Sequence, residues 1–367
     1  MQLNVLVLPG DGIGVEVTRE AVRVLKAVAD SFGHSLTLNE GLLGGIAIHQ
    51  RGTPIPDETK ELALKADATL LGAVGLPEFD TAPPDKRPER GLLGLRKALG
   101  VYANLRPVRS YRSLLDSSPL KNELVEGVDM IIVRELTGGL YYGTPRGISG
   151  SGAEERAVNT MTYTRSEIER VAHMAFQLAG RRRKKLTSVD KSNVLENSQL
   201  WRRVVTEVGR DYPDIKLDHL LVDNCAMQLV VGPKQFDVLL TENMFGDILS
   251  DEGAVLAGSI GMLPSASIGA RAPSGAWIGL YEPVHGSAPD IAGQNKANPL
   301  GAVGSIAAML EYSFGLTEEA IAVNFAIEEV LNSGHVPADL KPADKPASTT
   351  EVGDALCRYI SERKVPV

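Results

Sequence analysis

The stretch Leu3-Asn-Val-Leu-Val-Leu-Pro-Gly-Asp-Gly-Ile-Gly14 decides the fold class of this chain. Its first six residues form an apolar run, the pattern of a strand buried on both faces. Pro9 to Gly14 read as a tight turn, and Val17, Ala21, Val24, Leu25 and Val28 mark the apolar face of a following helix. The glycines are spaced G-x-G-x-G rather than G-x-G-x-x-G. No acidic residue ends a second strand about twenty residues later, as the Rossmann dinucleotide fingerprint requires. No Lys-Ser/Thr pair follows, so this is not a phosphate loop. A plain strand-to-helix turn is one reading, and close backbone approach to a ligand is the other.

The same alternation continues along the chain. Ala68 to Val74 is an apolar strand closed by Gly75 and Pro77, Asp129 to Val133 is another, and Phe236 to Leu240 a further one. Thr164-Arg-Ser-Glu167 and Ser348-Thr-Thr-Glu351 are capping boxes, in which side chains satisfy exposed backbone donors at a helix start. The helix behind Thr164 would bury Ile168, Val171, Ala172, Ala175 and Ala179. Asn298-Pro299 reads as the cap and first residue of one more. Strands alternating with helices define an α/β protein. Residues 143–159, rich in Gly and Ser, read as a protruding loop or arm.

Composition narrows the function classes. The chain has 367 residues, 43% hydrophobic, enough for a large core and about two domains. A net charge of −8 argues against a nucleic-acid partner, which needs a basic surface. The one basic run, Arg181-Arg-Arg-Lys-Lys185, is expected to complement a helix C-terminus and stay solvated. Two cysteines make no disulfide framework, and no signal peptide or membrane-length apolar run is found, so a cytoplasmic protein without membrane contact is expected.

Chemistry concentrates at Val238-Leu-Leu-Thr-Glu-Asn-Met-Phe-Gly-Asp-Ile-Leu-Ser-Asp251. A helix is expected after the strand, with Phe245, Ile248, Leu249, Val255 and Leu256 on its apolar side. Asp247 and Asp251 then lie about 40° apart on one face. Like charges at that spacing cost an isolated helix roughly 0.2–0.5 kcal/mol. Either they are two solvated acids or they hold a cation, and oxygen-only ligands suit Mg²⁺ or Mn²⁺. Asp223, closing Leu220-Leu-Val-Asp223, would add a third carboxylate. Arg96, Arg106 and Arg134 fit a substrate carrying two carboxylates, because guanidinium pairs bidentately with each. Each could equally be an ordinary ion-pair residue. Lys191, in Leu186-Thr-Ser-Val-Asp-Lys191, could serve as a base and Tyr141 as a proton donor. In Glu282-Pro-Val-His-Gly-Ser-Ala-Pro-Asp-Ile-Ala-Gly293, His285 could stack on a purine. Asp290 could accept a ribose diol while repelling a 2′-phosphate.

Taken together, Leu8-Pro-Gly-Asp-Gly-Ile-Gly14, Arg134-Glu-Leu-Thr-Gly-Gly139, Ser188-Val-Asp-Lys191, Phe245-Gly-Asp-Ile-Leu-Ser-Asp251 and His285-Gly-Ser-Ala-Pro-Asp290 resemble the isocitrate/isopropylmalate dehydrogenase family nearly end to end. The resemblance implies a two-lobed α/β fold that is not Rossmann, with a protruding dimer arm. It implies a discontinuous first, cofactor-side domain of residues 1–101 and 258–367, and a second domain of 102–257 for dimerisation, metal and substrate. It implies NAD-dependent oxidative decarboxylation of (2R,3S)-3-isopropylmalate in leucine biosynthesis, with Mg²⁺ or Mn²⁺. Arg96, Arg106 and Arg134 would hold the substrate carboxylates. Asp247 and Asp251 would hold the metal with Asp223 of the partner subunit of a homodimer, near the substrate hydroxyl. Lys191, also from the partner, would take the hydroxyl proton, and Tyr141 would protonate the enol. Glu89 would lie at the nicotinamide. His285, Gly286, Ser287, Ala288, Asp290 and Asn298 would face the adenosine. Leu92, Leu93 and Val194 favour an apolar branched substituent. The same chemistry on homoisocitrate, malate, tartrate or another alkylmalate is the sibling reading, and a Mg²⁺-dependent phosphohydrolase is the reading from a different class. Some positions depart from the family pattern. Gly75-Leu-Pro-Glu-Phe-Asp80 replaces Gly-Gly-Pro-Lys-Trp-Asp, His49 replaces Asp, Tyr142 replaces Phe and Ser192 replaces Ala. Glu242 stands where a small or amide residue is usual.

Overall fold

The apolar run at the amino end forms strand β1 (Gln2–Gly10), and the glycine turn leads into helix α1 (Gly14–Phe32). The computed structural model describes residues 1–83, 86–271, 276–342 and 345–362. By contacts the chain divides into two units. The first comprises Met1–Val101, Tyr111–Pro119 and Ala257–Val367, and the second Tyr102–Ser110 and Leu120–Leu256.

The first unit adds strands β2 (Ser35–Glu40), β3 (Ala68–Ala73), β11 (Pro264–Arg271) and β12 (Trp277–Pro283), and β2 does end in an acid, Glu40, contrary to the expectation from sequence. Its helices are α1, α2 (Gly45–Arg51), α3 (Asp57–Lys65), α4 (Glu89–Leu99), α10 (Leu300–Tyr312), α11 (Thr317–Asn332) and α12 (Thr349–Ser361). The strand order is β2-β1-β3-β12-β11, all parallel except the β11–β12 pair. Every residue of β3 is buried, which is why its sequence is a continuous apolar run. The α1 face is as expected: Val17, Ala21, Val24, Leu25 and Val28 are fully buried. Ser348 caps α12 in a capping box, worth about 0.5–2 kcal/mol.

The glycine turn makes its close approach to the chain's own backbone. Gly12 has φ +55°, and a Cβ there would collide with the Ser287 carbonyl. That carbonyl accepts the Ile13 N–H at 2.7 Å. Asp11, which sequence reasoning did not single out, is buried and accepts backbone N–H groups from Gly45, Ile46 and Gly75 at 2.8–2.9 Å. One carboxylate thus ties together three loops at the carboxyl end of the strands.

The second unit carries β4 (Ala103–Arg109), β5 (Asp129–Glu135), β8 (Lys185–Asp190), β9 (Lys216–Leu221) and β10 (Val238–Thr241) in the order β4-β5-β10-β8-β9. Only the β4–β5 pair is antiparallel. Its helices are α5 (Asn122–Val125), α6 (Arg165–Gly180), α7 (Glu196–Gly209), α8 (Val222–Val231) and α9 (Asn243–Leu256). Thr164 caps α6 in the expected capping box. The Gly- and Ser-rich segment contains a separate antiparallel pair, β6 (Gly147–Ser149) and β7 (Arg156–Val158), with every strand residue exposed.

Three local expectations are corrected. The strand expected from Phe236 begins at Val238, because a 3-10 turn at Pro233–Gln235 and a buried, anchored Asp237 precede it. Asp237 accepts from Arg182 Nε and the Arg183 N–H, both at 2.9 Å, so the basic run is pinned at these two residues, while Arg181, Arg183 and Lys184 remain exposed as expected. On α9, Ile248 and Val255 are 60% and 42% exposed. The buried face is Phe245, Gly246, Leu249, Ser250, Gly253 and Ala254 with Leu256. Small residues define it: a Cβ on Gly246 would lie 2.7 Å from the Arg134 side chain.

Candidate active site

Helix α9 and strands β4 and β5 build one cluster in the second unit. Arg134 is the penultimate residue of β5, opposite Asn104 on β4 and Thr241 on β10. Gly246 leaves room for its side chain to reach along α9. Arg134 donates from Nε to Asn243 Oδ1 at 2.9 Å and from Nη1 to Asp247 in a short ion pair. Arg106, on β4, donates from Nη1 to Ser250 Oγ at 2.6 Å and Asp251 Oδ1 at 3.4 Å, and its Nη2 lies 3.7 Å from Asp247 Oδ1. The Tyr141 hydroxyl donates to Asp247 Oδ2 at 2.9 Å. Two buried guanidinium groups and a phenol thus converge on two partly open carboxylates.

The electrostatics suit proton delivery and anion binding. Burial and the neighbouring Asp247 carboxylate push the Tyr141 phenol up to about 12, so it carries its proton at neutral pH. Burial raises the Asp251 carboxyl while Arg106 opposes it. Asp247 and Asp251, one turn apart on α9, supply oxygen-only donors of the kind hard divalent cations take.

Lys191 and Asp223 form a second set. Lys191 follows β8, its N–H donating to Ser198 Oγ at 3.1 Å. Its Nζ reaches Asp223 Oδ1 at 2.6 Å, and this bond holds the Asp223 carboxyl below its ordinary range. Asp223 lies in the first turn of α8 rather than closing a strand, since β9 stops at Leu221. Among the described residues, no three His, Cys, Asp or Glu side chains come together to hold a metal ion, so Asp223 does not join Asp247 and Asp251 within one chain. Val194, in the turn after Lys191, is 59% exposed.

The first unit holds the remaining candidates. Arg96 on α4 pairs with Glu282 at 2.6 Å, while its buried Nε has no partner. Leu92 and Leu93, on the same helix, are half-buried. Glu89 opens that helix, its carboxylate facing Gly75 with the Ser287 hydroxyl nearby. After β12 comes the segment of His285, Gly286, Ser287, Ala288 and Asp290, with Ala288 in the left-handed region at φ +34°. His285 Nδ1 lies 2.9 Å from the Gly286 carbonyl; its Nε2 is buried with no partner, and burial pushes the imidazole pKa down. An orphaned ring nitrogen fits a heterocyclic base with a complementary edge. Asp290 is exposed. Asn298 caps α10 from two residues before its first helical position, accepting the Leu300 N–H at 2.9 Å. Its amide nitrogen donates to Asp339, an acid that sequence reasoning missed because nothing near it signals chemistry. Two departures from the family pattern meet each other: His49 Nε2 lies 2.8 Å from Glu78 Oε1.

A buried arginine pair facing two aspartates and a tyrosine is an arrangement that suits small polycarboxylates. The chain belongs to the isocitrate/isopropylmalate dehydrogenase family, whose model matches residues 4–356, and it is an oxidoreductase. It is 59% identical to a 3-isopropylmalate dehydrogenase of Geobacillus kaustophilus, covering 96% of this chain and 94% of that one. It is 56% identical to one of Halalkalibacterium halodurans, covering 98% of each. Among solved structures it is similar to an isocitrate dehydrogenase from Methylococcus capsulatus, with TM-score 0.86, 34% identity and coverage of 98% and 99%. A beta-decarboxylating dehydrogenase from Thermococcus kodakarensis gives TM-score 0.78 and 36% identity, covering 98% of this chain and 96% of that one. No helix among the described residues is long and apolar enough to cross a membrane.

Proposed function

We propose that this chain catalyses the NAD-dependent oxidative decarboxylation of (2R,3S)-3-isopropylmalate to 4-methyl-2-oxopentanoate and CO₂, a step of leucine biosynthesis. The observation that carries the reading is the convergence of Arg106, Arg134 and Tyr141 on Asp247 and Asp251. The relatives named 3-isopropylmalate dehydrogenase support the substrate.

When bound, NAD would supply hydride acceptance and a Mg²⁺ or Mn²⁺ ion would supply Lewis acidity. Asp247 and Asp251 would hold that ion with Asp223 of the partner subunit. Arg96, Arg106 and Arg134 clamp the two malate carboxylates, fixing the carbon that loses hydride. Lys191 of the partner subunit takes the hydroxyl proton. Tyr141, kept protonated, delivers a proton to the carbon that CO₂ leaves. Leu92 and Leu93, with Val194 opposite, enclose the isopropyl group. Glu89 borders the nicotinamide end, while His285, Gly286, Ser287, Ala288, Asp290 and Asn298 lie on the adenosine side.

Two features support a homodimer. Met227, Val230 and Val231 on α8, with Ile248 and Val255 on α9, put large apolar side chains on the surface of two helices that pack together. Exposed apolar surface of this kind marks an interface. The β6–β7 hairpin is the proposed dimer arm. The domain of residues 1–101 and 258–367 serves the cofactor, and that of residues 102–257 serves metal, substrate and dimerisation, although Tyr111–Pro119 belongs by its contacts to the first unit.

Incubating the chain with NAD, Mn²⁺ and 3-isopropylmalate should yield NADH and CO₂ in equal amounts. NADH without CO₂ would contradict the decarboxylation. NAD should be preferred over NADP through Asp290, whose carboxylate accepts ribose hydroxyls and repels a phosphate bearing nearly two charges. Exchanging Asp290 for Asn should narrow the gap in kcat/KM between the two cofactors; an unaltered ratio would show that Asp290 points elsewhere. Leu93→Ala should lower kcat/KM for 3-isopropylmalate by about tenfold or more and leave malate little changed, because only the branched substrate fills that pocket. Equal losses on both substrates would remove Leu93 from the pocket.

A further inference from the structure

Tyr163 immediately precedes the Thr164 cap of α6 and is buried. Its hydroxyl does two things at once. It donates to Glu242 Oε2 at 3.2 Å and accepts the Asn243 N–H at 2.9 Å, at the amino end of α9. Its ring fills the space left by two glycines. A Cβ on Gly138 would sit 2.6 Å from the Tyr163 ring, and one on Gly139 would run into the hydroxyl. The Gly139 N–H also donates to the Thr162 carbonyl at 3.1 Å. Gly139 to Tyr141 is the short 3-10 turn that carries Tyr141. On its other side the ring meets Trp201 edge to face, with centroids 5.6 Å apart, and Trp201 donates to Ser188 on β8, three residues before Lys191.

Glu242 completes the joint. It is 4% exposed, and its Oε1 accepts the Phe245 N–H at 2.5 Å, so it caps the helix that bears Asp247 and Asp251. Capping alone is ordinarily done by Ser, Thr, Asp or Asn. A buried glutamate is an expensive choice unless its second oxygen is also used, as Tyr163 uses it here. Asn243 adds two bonds to the same turn, from its amide nitrogen to the Leu136 and Gly138 carbonyls at 3.1 and 2.9 Å. The Tyr141 turn and the aspartate helix therefore share one buried clamp.

We infer that Tyr163 and Glu242 are positioning residues for the reaction: their hydrogen-bonded pair fixes the Gly138–Tyr141 turn against the amino end of α9 and so sets the Tyr141 hydroxyl on Asp247. They act through Tyr141 and touch neither substrate nor cofactor. The inference rests on the proposed role of Tyr141 as proton donor.

The test is a double-mutant cycle on the full-length enzyme. Tyr163→Phe keeps the ring against the glycines and Trp201 but removes the bridge. It should lower kcat by about ten- to a hundredfold, the range for small misplacement of a reacting group, while KM for the alkylmalate stays within about threefold. The double variant Tyr163→Phe/Tyr141→Phe should be no slower than Tyr141→Phe alone, because Tyr163 has nothing left to position. Multiplying losses, or an unchanged kcat in Tyr163→Phe, would overturn the inference. If Tyr163→Phe does not fold, Glu242→Ala takes its place; because it also uncaps the helix bearing Asp247 and Asp251, the double variant with Tyr141→Phe should lose less than the product of the two single losses, and a full product would count against the clamp. Glu242→Gln, whose amide oxygen still accepts, should then recover most of the lost kcat, and no recovery would count against the clamp. A crystal structure of the Tyr163→Phe or Glu242→Ala variant should show the Tyr141 hydroxyl displaced from Asp247, and an undisturbed pair would contradict it. The kinetics are read on whichever 3-substituted malate the unmodified chain oxidises. Inactivity toward 3-isopropylmalate alone would thus defeat the substrate reading while the cycle still decides the role of Tyr163.

Discussion

Mixing Lys191→Ala subunits with Asp247→Ala subunits should restore about a quarter of the unmodified activity, although each parent is slower by about 10²–10⁴-fold. Lys191 is bound to Asp223 within the chain, and among the described residues Asp223 does not join Asp247 and Asp251 in one group. If one site takes Asp247 from one subunit and Lys191 from its partner, a mixed dimer holds one intact site and one bearing both lesions. Random exchange makes half the dimers mixed, and each such dimer has one of two sites working. Activity after confirmed subunit exchange that stays at the parental level would exclude the shared site. The exposed apolar residues on α8 and α9 support the proposed association alone, since burying them against a copy of themselves would remove their contact with water.

Asp247→Asn should lower kcat by about 10³-fold or more, since a Lewis-acid cation contributes several kcal/mol and each 1.36 kcal/mol is a factor of ten. The amide keeps the shape of the side chain and an oxygen for Arg134, but loses the charge. Mn²⁺ binding measured by calorimetry should weaken beyond the roughly 10–100-fold that follows loss of a group that merely supports a ligand. Unchanged Mn²⁺ affinity would show that Asp247 serves only its ion pair with Arg134 and its bond from Tyr141.

Much of the fold was legible because its strands are buried on both faces and its helices carry clean apolar stripes. The run Leu3 to Leu8 and the α1 face of Val17, Ala21, Val24, Leu25 and Val28 needed only periodicity. The capping boxes at Thr164 and Ser348 were equally plain, being local in sequence. Errors came where the deciding partner is distant. Ile248 and Val255 read as core because an exposed apolar helix residue looks like a buried one until its neighbours are known. The true buried face of α9 rests on Gly246, Ser250 and Gly253, which carry little hydrophobic signal. Arg182 read as solvated because Asp237, its partner, lies 55 residues away. The site shows the same division. Arg106, Arg134, Tyr141, Asp247 and Asp251 could each be singled out by residue type and local setting. Their distances, and the clamp of Tyr163 and Glu242 behind them, depend on long-range packing that no local pattern encodes.

The proposed enzyme is an alkylmalate oxidative decarboxylase tuned to a branched apolar substituent. The most direct measurement is kcat/KM from NADH formation, with Mn²⁺ and NAD, across 3-isopropylmalate, 3-ethylmalate, malate, tartrate, isocitrate and homoisocitrate. Each buried methyl group contributes about 0.8 kcal/mol, so 3-isopropylmalate should lead, the ethyl analogue should follow within one to two orders of magnitude, and malate should be poorer still. Isocitrate and homoisocitrate should be poorest, because they would press a carboxylate without a partner against Leu92 and Leu93. A higher kcat/KM for malate, tartrate, isocitrate or homoisocitrate than for 3-isopropylmalate would contradict the account.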